Sequence, residues 1–447
     1  MDKKIFKDFS KYVSFNILGQ IAYSCYTLAD TFFMSADLGT NGLTALNLAF
    51  PVFCMISGTG LMVGIGGSSL FSILKSRGES KAADQVFSTA LTLVFMFASI
   101  FFFTGLFASE HLVKVLGADS QVFEITHIYL KVLLLFAPAF ILNHLLQCFV
   151  RNDGRPSLSM AAMITGSFSN IVLDYIFIFP FHMGIFGAVL ATGLSPVVSM
   201  LVLAPYFIHK KNSFHFAVSH LPQMKRNIGK ILANGIPPFL TEAASGIVMF
   251  LFNFIILGIS GNVGVAAFGV ISVISLVVIA LYTGLSQGIQ PLISSNHGAG
   301  NKKTIQCLLH YSLITSILLS AVIYGSIFFS APRLVSVFNR EQNFILANYA
   351  ISGLKLYFIA CPFIGFNIVL STYFISVNRP FPAQIISILR SFFVLIPMAF
   401  TLSCFFGMTG VWLAYPATEI LVFIFALTQS PFCSRLFAHI ADNPRLR

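Results

Sequence analysis

The sequence predicts an all-α membrane protein: twelve transmembrane helices in two parallel six-helix lobes, related by a pseudo-twofold axis along the membrane normal. Three observations carry this. Of 447 residues, 57% are hydrophobic and only 9% charged, with a mean hydropathy of +0.87, a balance no soluble domain of this length shows. Apolar runs recur from end to end, each long enough to cross a hydrocarbon core of ~30 Å, which takes about 20 residues. The second half also repeats the first at a nearly constant offset of 222 to 224 positions.

The apolar runs place helices at approximately 12–36, 45–74, 86–108, 125–150, 157–180 and 184–208 in the first half. In the second they fall at 231–259, 264–296, 304–330, 345–376, 382–406 and 408–432. The first follows MDKKIFKDFSKYVSF, basic but with no small-residue cleavage site behind a short apolar core; it reads as a cytoplasmic lead-in, not a removed signal. Several spans exceed 25 residues, so tilt or protrusion beyond the bilayer is expected. Pro51, Pro138, Pro196, Pro291, Pro362 and Pro397 fall within spans, where neighbours can satisfy the carbonyls a proline frees.

The loops between these helices sort by charge. One side collects Lys3, Lys4, Lys7 and Lys11, then Lys75, Arg77 and Lys81, then Arg151 and Arg155. It continues with Lys210, Lys211, Lys225, Arg226, Lys230, Lys302, Lys303, Arg379, Arg435, Arg445 and Arg447. The opposite loops hold only Lys114, Arg333 and Arg340. The positive-inside rule therefore puts both termini in the cytoplasm of a multi-pass plasma (inner) membrane protein, of bacterial type. The net charge of +11 is a topology signal and a contact with anionic lipid, not a nucleic-acid footprint. The seven cysteines show no CxxC spacing and read as small packing residues.

The repeat fixes the organisation. At a shift of 222, Gly39, Gly42, Ala45, Gly66, Gly78 and Lys81 fall on Gly261, Gly264, Ala267, Gly288, Gly300 and Lys303. At 224, Leu130, Lys131, Pro138, Arg155 and Pro156 fall on Leu354, Lys355, Pro362, Arg379 and Pro380. At 223, Gly184, Gly187, Leu190 and Ala191 fall on Gly407, Gly410, Leu413 and Ala414. Six helices is an even number, so both halves enter from the same side and are parallel repeats. The expected domains are an N-lobe (1–208), a polar cytoplasmic linker (209–230) and a C-lobe (231–447). Two such lobes suit alternating access across a cavity between them.

Inside this apolar frame SNIVLDYIF (169–177) stands out. Asn170 and Asp174 lie one turn apart on a single helix face, and an Asp at a bilayer centre costs about 2.5 to 3.5 kcal/mol even on lenient insertion scales.

Four stretches resemble the multidrug and toxic compound extrusion (MATE) family of cation-coupled antiporters: ADTFFMSADLGTNGLTALNLAFPVF (29–53), FVRNDGRPSLSM (149–160), SNIVLDYIFIF and GVWLAYPATE (410–419). The resemblance covers nearly the whole chain. It implies the six-plus-six fold and, in the branch with an N-lobe cation site, a site built from Asp30, Asn170, Asp174 and Thr192. Another branch carries acids on helices seven and ten; here Glu242 stands on helix seven and helix ten has none. The depths agree independently of the family. Asp30, Asp174 and Thr192 all lie ~9–12 Å below the outer surface at 1.5 Å per residue. Two carboxylates at one depth with no basic neighbour each disfavour the other's charge, so such a group can carry a proton near neutral pH, and the same oxygens can ligate Na⁺.

Other residues are assigned alongside. Glu242, after IPPFL, is expected to be wetted from the cytoplasm and to contact cationic substrate, hold a second proton, or make a structural hydrogen bond. Arg390 and Glu419 are expected to form a stabilising ion pair between adjacent helices. Lys131 and Lys355, equivalent in the repeat, are expected to snorkel or pair with carbonyls. Asn143, His144 and Gln147 line one helix without an assigned role. The expected function is secondary active export of lipophilic cationic small molecules, by a monomer in the lipid bilayer. It would proceed by rocker-switch alternating access, with H⁺ or Na⁺ as coupling ion and no cofactor. A flippase of a lipid-linked precursor, which would line its cavity with Arg or Lys, is the alternative. An enzyme is disfavoured: Ser68 and Ser69 of GIGGSS have no histidine on a plausible partner. A channel would show a filter-like loop.

Overall fold

The structure is a computed structural model and describes residues 3–218, 220–339 and 343–429. The predicted end of helix twelve (430–432) and Arg340, Cys433, Arg435, Arg445 and Arg447 lie outside these residues. Among the described residues the regular structure is helical and contains no strand.

Three long helical stretches are divided by single glycines: Lys3–Ser76 at Gly39, Leu221–Gly298 at Gly261 and Leu395–Gln429 at Gly407, all with φ between 56° and 60°. An L side chain disfavours that backbone, so glycine sets the break. The resulting helices are α1 (3–38), α2 (Asn41–Ser76), α3 (Ser80–Phe107) and α4, a bent pair of Phe123–Leu135 and Ala137–Asn152. They continue with α5 (Pro156–Ile178), α6 (Gly184–Ile208), α7 (221–260), α8 (262–298) and α9 (Lys302–Phe338). The last are α10 (Phe344–Ser376), α11 (380–406) and α12 (408–429). A seven-residue helix, Ser109–Val115, lies between α3 and α4. Large apolar side chains face outward along these helices, Phe107, Phe250, Phe329 and Phe405 among them, as lipid-facing surfaces require. The chain is a multi-pass membrane protein.

The repeat is conformational as well as sequential. Gly39 and Gly261 share the left-handed region (φ 58° and 60°), as do Gly78 and Gly300 (82° and 76°) and Gly184 and Gly407 (55° and 56°). A fourth pair, Gly154 and Asn378 (84° and 56°), keeps the conformation while changing residue, because Asn tolerates it best after Gly. The kinks repeat too. α4 bends by 45° at Phe136, just before Pro138, and α10 carries a 3-10 turn, Phe358–Ala360, just before Pro362. Each proline removes a backbone donor from the preceding turn.

Two helices start earlier than hydropathy implies, α1 at Lys3 instead of 12 and α7 at Leu221 instead of 231. Hydropathy marks where hydrocarbon ends, not where the helix ends. These polar extensions are held by apolar contacts of their own, Phe9 at 4% exposure and Ile228 against the core.

The helices form two compact units. Unit 1 runs up to Gly246 and includes Thr283–Leu308 and Ile375–Asn378. Unit 2 holds Ile247–Tyr282, Leu309–Phe374 and the described residues from Arg379 on. In unit 1 the polar stretch after α6 is strapped down. Phe214 is fully buried against Phe71, Phe87, Phe149 and Phe207. Asp153 accepts from Tyr206 (2.6 Å), from the Ser213 amide (2.8 Å) and from the Ser213 hydroxyl, while Lys75 donates to the Ser213 carbonyl (2.5 Å). The core of unit 2 centres on Trp412, stacked on Phe268 and packed on Gly353.

Candidate cation site

Unit 1 assembles polar groups from four helices, α1, α4, α5 and α6. α5 presents Asn170 and Asp174 on one face, both with no exposed surface, and α1 and α6 pack against it. α1 brings Asp30 (6% exposed) and α6 brings Thr192 (4%). The neighbour of Thr192 explains how α6 comes so close. A Cβ on Gly193 would lie 2.5 Å from Cγ of Phe136, the residue at the bend of α4, so a bare glycine lets the bent helix seat against α6 at the level of the site.

Asp30 and Asp174 lie within electrostatic reach of each other. Asn170 Nδ2 donates to Thr192 Oγ1 over a long 3.5 Å, and the Thr192 hydroxyl donates to Ala188 O at 3.1 Å. Four further acceptors find no donor. Both carboxylate oxygens of Asp174, Oδ1 of Asp30 and Oδ1 of Asn170 are buried without a hydrogen-bond partner. Buried acceptors are almost always satisfied, so four such oxygens converging from two helices are complementary to a positive charge. Among the described residues neither aspartate is in an ion pair. No cluster of three His, Cys, Asp or Glu capable of chelating a transition metal occurs among them either. Two carboxylates with amide and hydroxyl oxygens suit a proton or a hard cation that takes oxygen ligands.

Two members escaped the sequence reading. Tyr26, one turn before Asp30, and Tyr129, on the first half of α4, are buried at 6% and 5%. Both lie within electrostatic reach of Asp30 and Asp174, and the Tyr129 hydroxyl ends beside Thr192. The spacing of Tyr26 to Asp30 was a usable signal. Tyr129 had none, since a lone aromatic ring in an apolar run carries no cost signal.

The other assigned residues lie apart from this cluster. Glu242 on α7 is half-buried near Tyr23 and Cys54, with its Cβ against Gly58, and is in no ion pair among the described residues. Arg390 Nε donates to Glu419 Oε1 at 2.5 Å in unit 2, where Asn367 donates to Oε2 at 2.7 Å. Arg390 reaches there from a π-helical turn, Leu389–Phe393. Lys355 lies over the Phe328 ring at 4.9 Å. Ser68 accepts from Asn152, and Ser69 pairs with Ser294, so neither hydroxyl faces a base.

The chain is 27% identical over 395 residues to the multidrug export protein MepA of Staphylococcus saprophyticus, covering 88% of this chain and 86% of that one. It is 25% identical over 425 residues to the MepA of Staphylococcus haemolyticus, covering 95% and 93%. It also superimposes on the outward-facing conformation of a multidrug resistance MATE family transporter of the MOP superfamily. There the TM-score is 0.88 at 24% identity over 95% of each chain, which establishes the six-plus-six fold. The MatE family profile matches residues 16–176 and 237–401, one segment in each half of the repeat. With a matched segment in each half, the chain belongs to the MatE family.

Proposed function

We propose that the protein is a multidrug exporter that exchanges lipophilic cationic compounds for H⁺ or Na⁺, with Asp30, Asn170, Asp174 and Thr192 binding the coupling ion. The observation that carries this is the convergence of buried, donorless oxygens from α1 and α5. Relatives named as multidrug export proteins support multidrug export. In the cycle, an ion enters from the outer side and neutralises the aspartates, and unit 1 rearranges to release substrate. The protein then opens inward, where the ion leaves and substrate loads. Glu242, half-buried and in no ion pair among the described residues, is assigned to contact the cationic substrate. One charge crossing 100 mV supplies ~2.3 kcal/mol, about a 50-fold gradient at 1.36 kcal/mol per decade, so one ion per cycle sustains useful efflux. Both termini are assigned to the cytoplasm by the basic loops, and the protomer is taken to act alone.

The lipid-linked precursor flippase is less well supported, since Arg151 gives its Nη1 to Asn16 and Gln287, and Arg390 is paired with Glu419. The test is dye efflux from proteoliposomes under an imposed pH gradient, then an imposed Na⁺ gradient, for wild type, Asp30→Asn and Asp174→Asn. Loss of gradient-driven efflux in both variants at equal incorporation is expected. Asp174→Asn efflux equal to wild type under both gradients would overturn the assignment.

A further inference from the structure

Arg151, the penultimate residue of α4, is buried to 2% exposure, and the proposed ion exchange makes no use of it. Among the described residues no carboxylate pairs with it. Nη1 donates instead to Asn16 Oδ1 of α1 (3.0 Å) and to Gln287 Oε1 of α8 (2.6 Å), Nη2 to Cys148 Sγ (3.4 Å), and Nε has no partner. Gln20 of α1 also donates to Gln287 (3.2 Å). Neutral bonds extend the seam: Asn152 Nδ2 donates to Gln290 Oε1 (2.8 Å), and the Ser69 and Ser294 hydroxyls pair at 3.0 Å. All these residues lie within unit 1.

The helices around this network meet backbone to backbone. A Cβ on Gly66 would collide with Ile231 O, one on Gly235 with Met62 O, and one on Gly288 would come within 2.7 Å of Val13 Cα. Gly66 and Gly288 are equivalent in the repeat, so α2 on α7 and α8 on α1 use the same smooth contact twice. Surfaces without interlocking side chains separate without repacking. Amide oxygens bound to a guanidinium are readily replaced by water, whereas a buried carboxylate partner would lose a strong, desolvated attraction on opening.

We propose that Arg151, with Asn16, Gln287, Asn152, Gln290 and the Ser69–Ser294 pair, is the latch of an inner gate. The latch is closed here and is parted and hydrated in the state that opens to the cytoplasm. Its acceptors are neutral so that the closed state is not held too tightly for one ion to tip. This rests on the alternating-access reading above.

Two measurements test it. In a background lacking the native cysteines, Ser69→Cys/Ser294→Cys oxidised to a disulfide is expected to lose at least about tenfold in dye efflux relative to its own reduced form. Verified cross-linking with unchanged efflux would overturn the latch. The second uses Cys148 as the sole thiol, probed with a membrane-impermeant maleimide from the cytoplasmic face. Labelling is expected about tenfold faster in Gln287→Ala, the scale of one charge-assisted hydrogen bond, and slower in Gln287→Glu, whose carboxylate pairs with Arg151. Equal rates in wild type and both variants would overturn the latch even if a variant transports poorly. The maleimide rate needs no dye. A wild type that moves no dye therefore sinks the export reading, while gate accessibility is still measured.

Discussion

The pair Arg390–Glu419 gives the sharpest stability prediction. Glu419 is fully buried; its Oε1 accepts from Arg390 at 2.5 Å and its Oε2 from Asn367 at 2.7 Å, and Arg390 Nη2 also reaches the Tyr415 hydroxyl at 3.4 Å. Glu419→Gln keeps the shape but removes the only carboxylate bonded to that guanidinium among the described residues, and stranding a buried charge costs about 3–5 kcal/mol. At roughly 2–4 °C per kcal/mol for a body of this size, the apparent unfolding midpoint in detergent is expected to fall by ~10 °C. Arg390→Met/Glu419→Leu removes both charges. Asn367 still donates to the residue 419 carbonyl, a bond now 3.0 Å long, so this double variant is expected to recover most of the loss. The assay is thermal unfolding followed by a thiol-reactive dye, with ion-driven efflux measured well below the midpoint, where Glu419→Gln should still couple to the gradient. A midpoint for Glu419→Gln within about 1 °C of wild type would refute the reasoning, as would a double variant no more stable than the single ones.

Three further outcomes follow from the packing. Gly193→Val drives a side chain into the Phe136 ring and should cost about 1–3 kcal/mol together with ion coupling, whereas Gly325→Ala, which meets nothing within 4 Å, should leave both within about 1 kcal/mol of wild type. Phe214→Ala, emptying a five-ring cluster, should lose about 3–5 kcal/mol and speed tryptic cleavage at the exposed Lys210 and Lys211, scored by limited proteolysis. Tyr129→Phe, deleting the hydroxyl beside Thr192, should raise the half-saturating ion concentration about fivefold, the scale of one neutral hydrogen bond, with little change in midpoint.

The sequence made the helices legible because hydrocarbon imposes a long apolar run on every span, and it made the repeat legible wherever glycine was the only residue that fits. Gly39 and Gly261 announce themselves; Gly154 and Asn378 do not, because Asn is a tolerable substitute in the same backbone. The acids were legible for the opposite reason, since Asp30 and Asp174 are costly in lipid and stand out. Tyr129 and Gln287 carry no such cost signal. An aromatic ring and a neutral amide are ordinary in a span, and the role of Gln287 emerges only where α8 meets α1. The strap at Phe214 was hidden because a polar stretch of 22 residues reads as linker until one ring is seen to anchor it.

The same repeat that shapes both halves also shows how far their chemistry has diverged. At the repeat offsets, Asp30, Asn170, Asp174 and Thr192 fall on Phe252, Val394, Met398 and Tyr415, so the second half has no carboxylate or amide where the first places them. The acid the second half keeps deep in its core, Glu419, is neutralised by Arg390 and so has no free charge to exchange. Arg151 likewise has Ile375 as its counterpart. Its backbone carbonyl accepts from Ser69 at 3.3 Å and so supplies the seam with an acceptor where the first half supplies a cation. If both halves bound ions, each turnover would carry two charges through the field, roughly 4.6 kcal/mol per 100 mV. On the proposed assignment of the coupling ion, the expected stoichiometry is set by the Asp30–Asp174 pocket alone. Flux ratios in proteoliposomes clamped at different potentials should therefore shift for wild type and for Glu419→Gln by the same amount per millivolt. A smaller shift in Glu419→Gln would show that the second half carries charge after all.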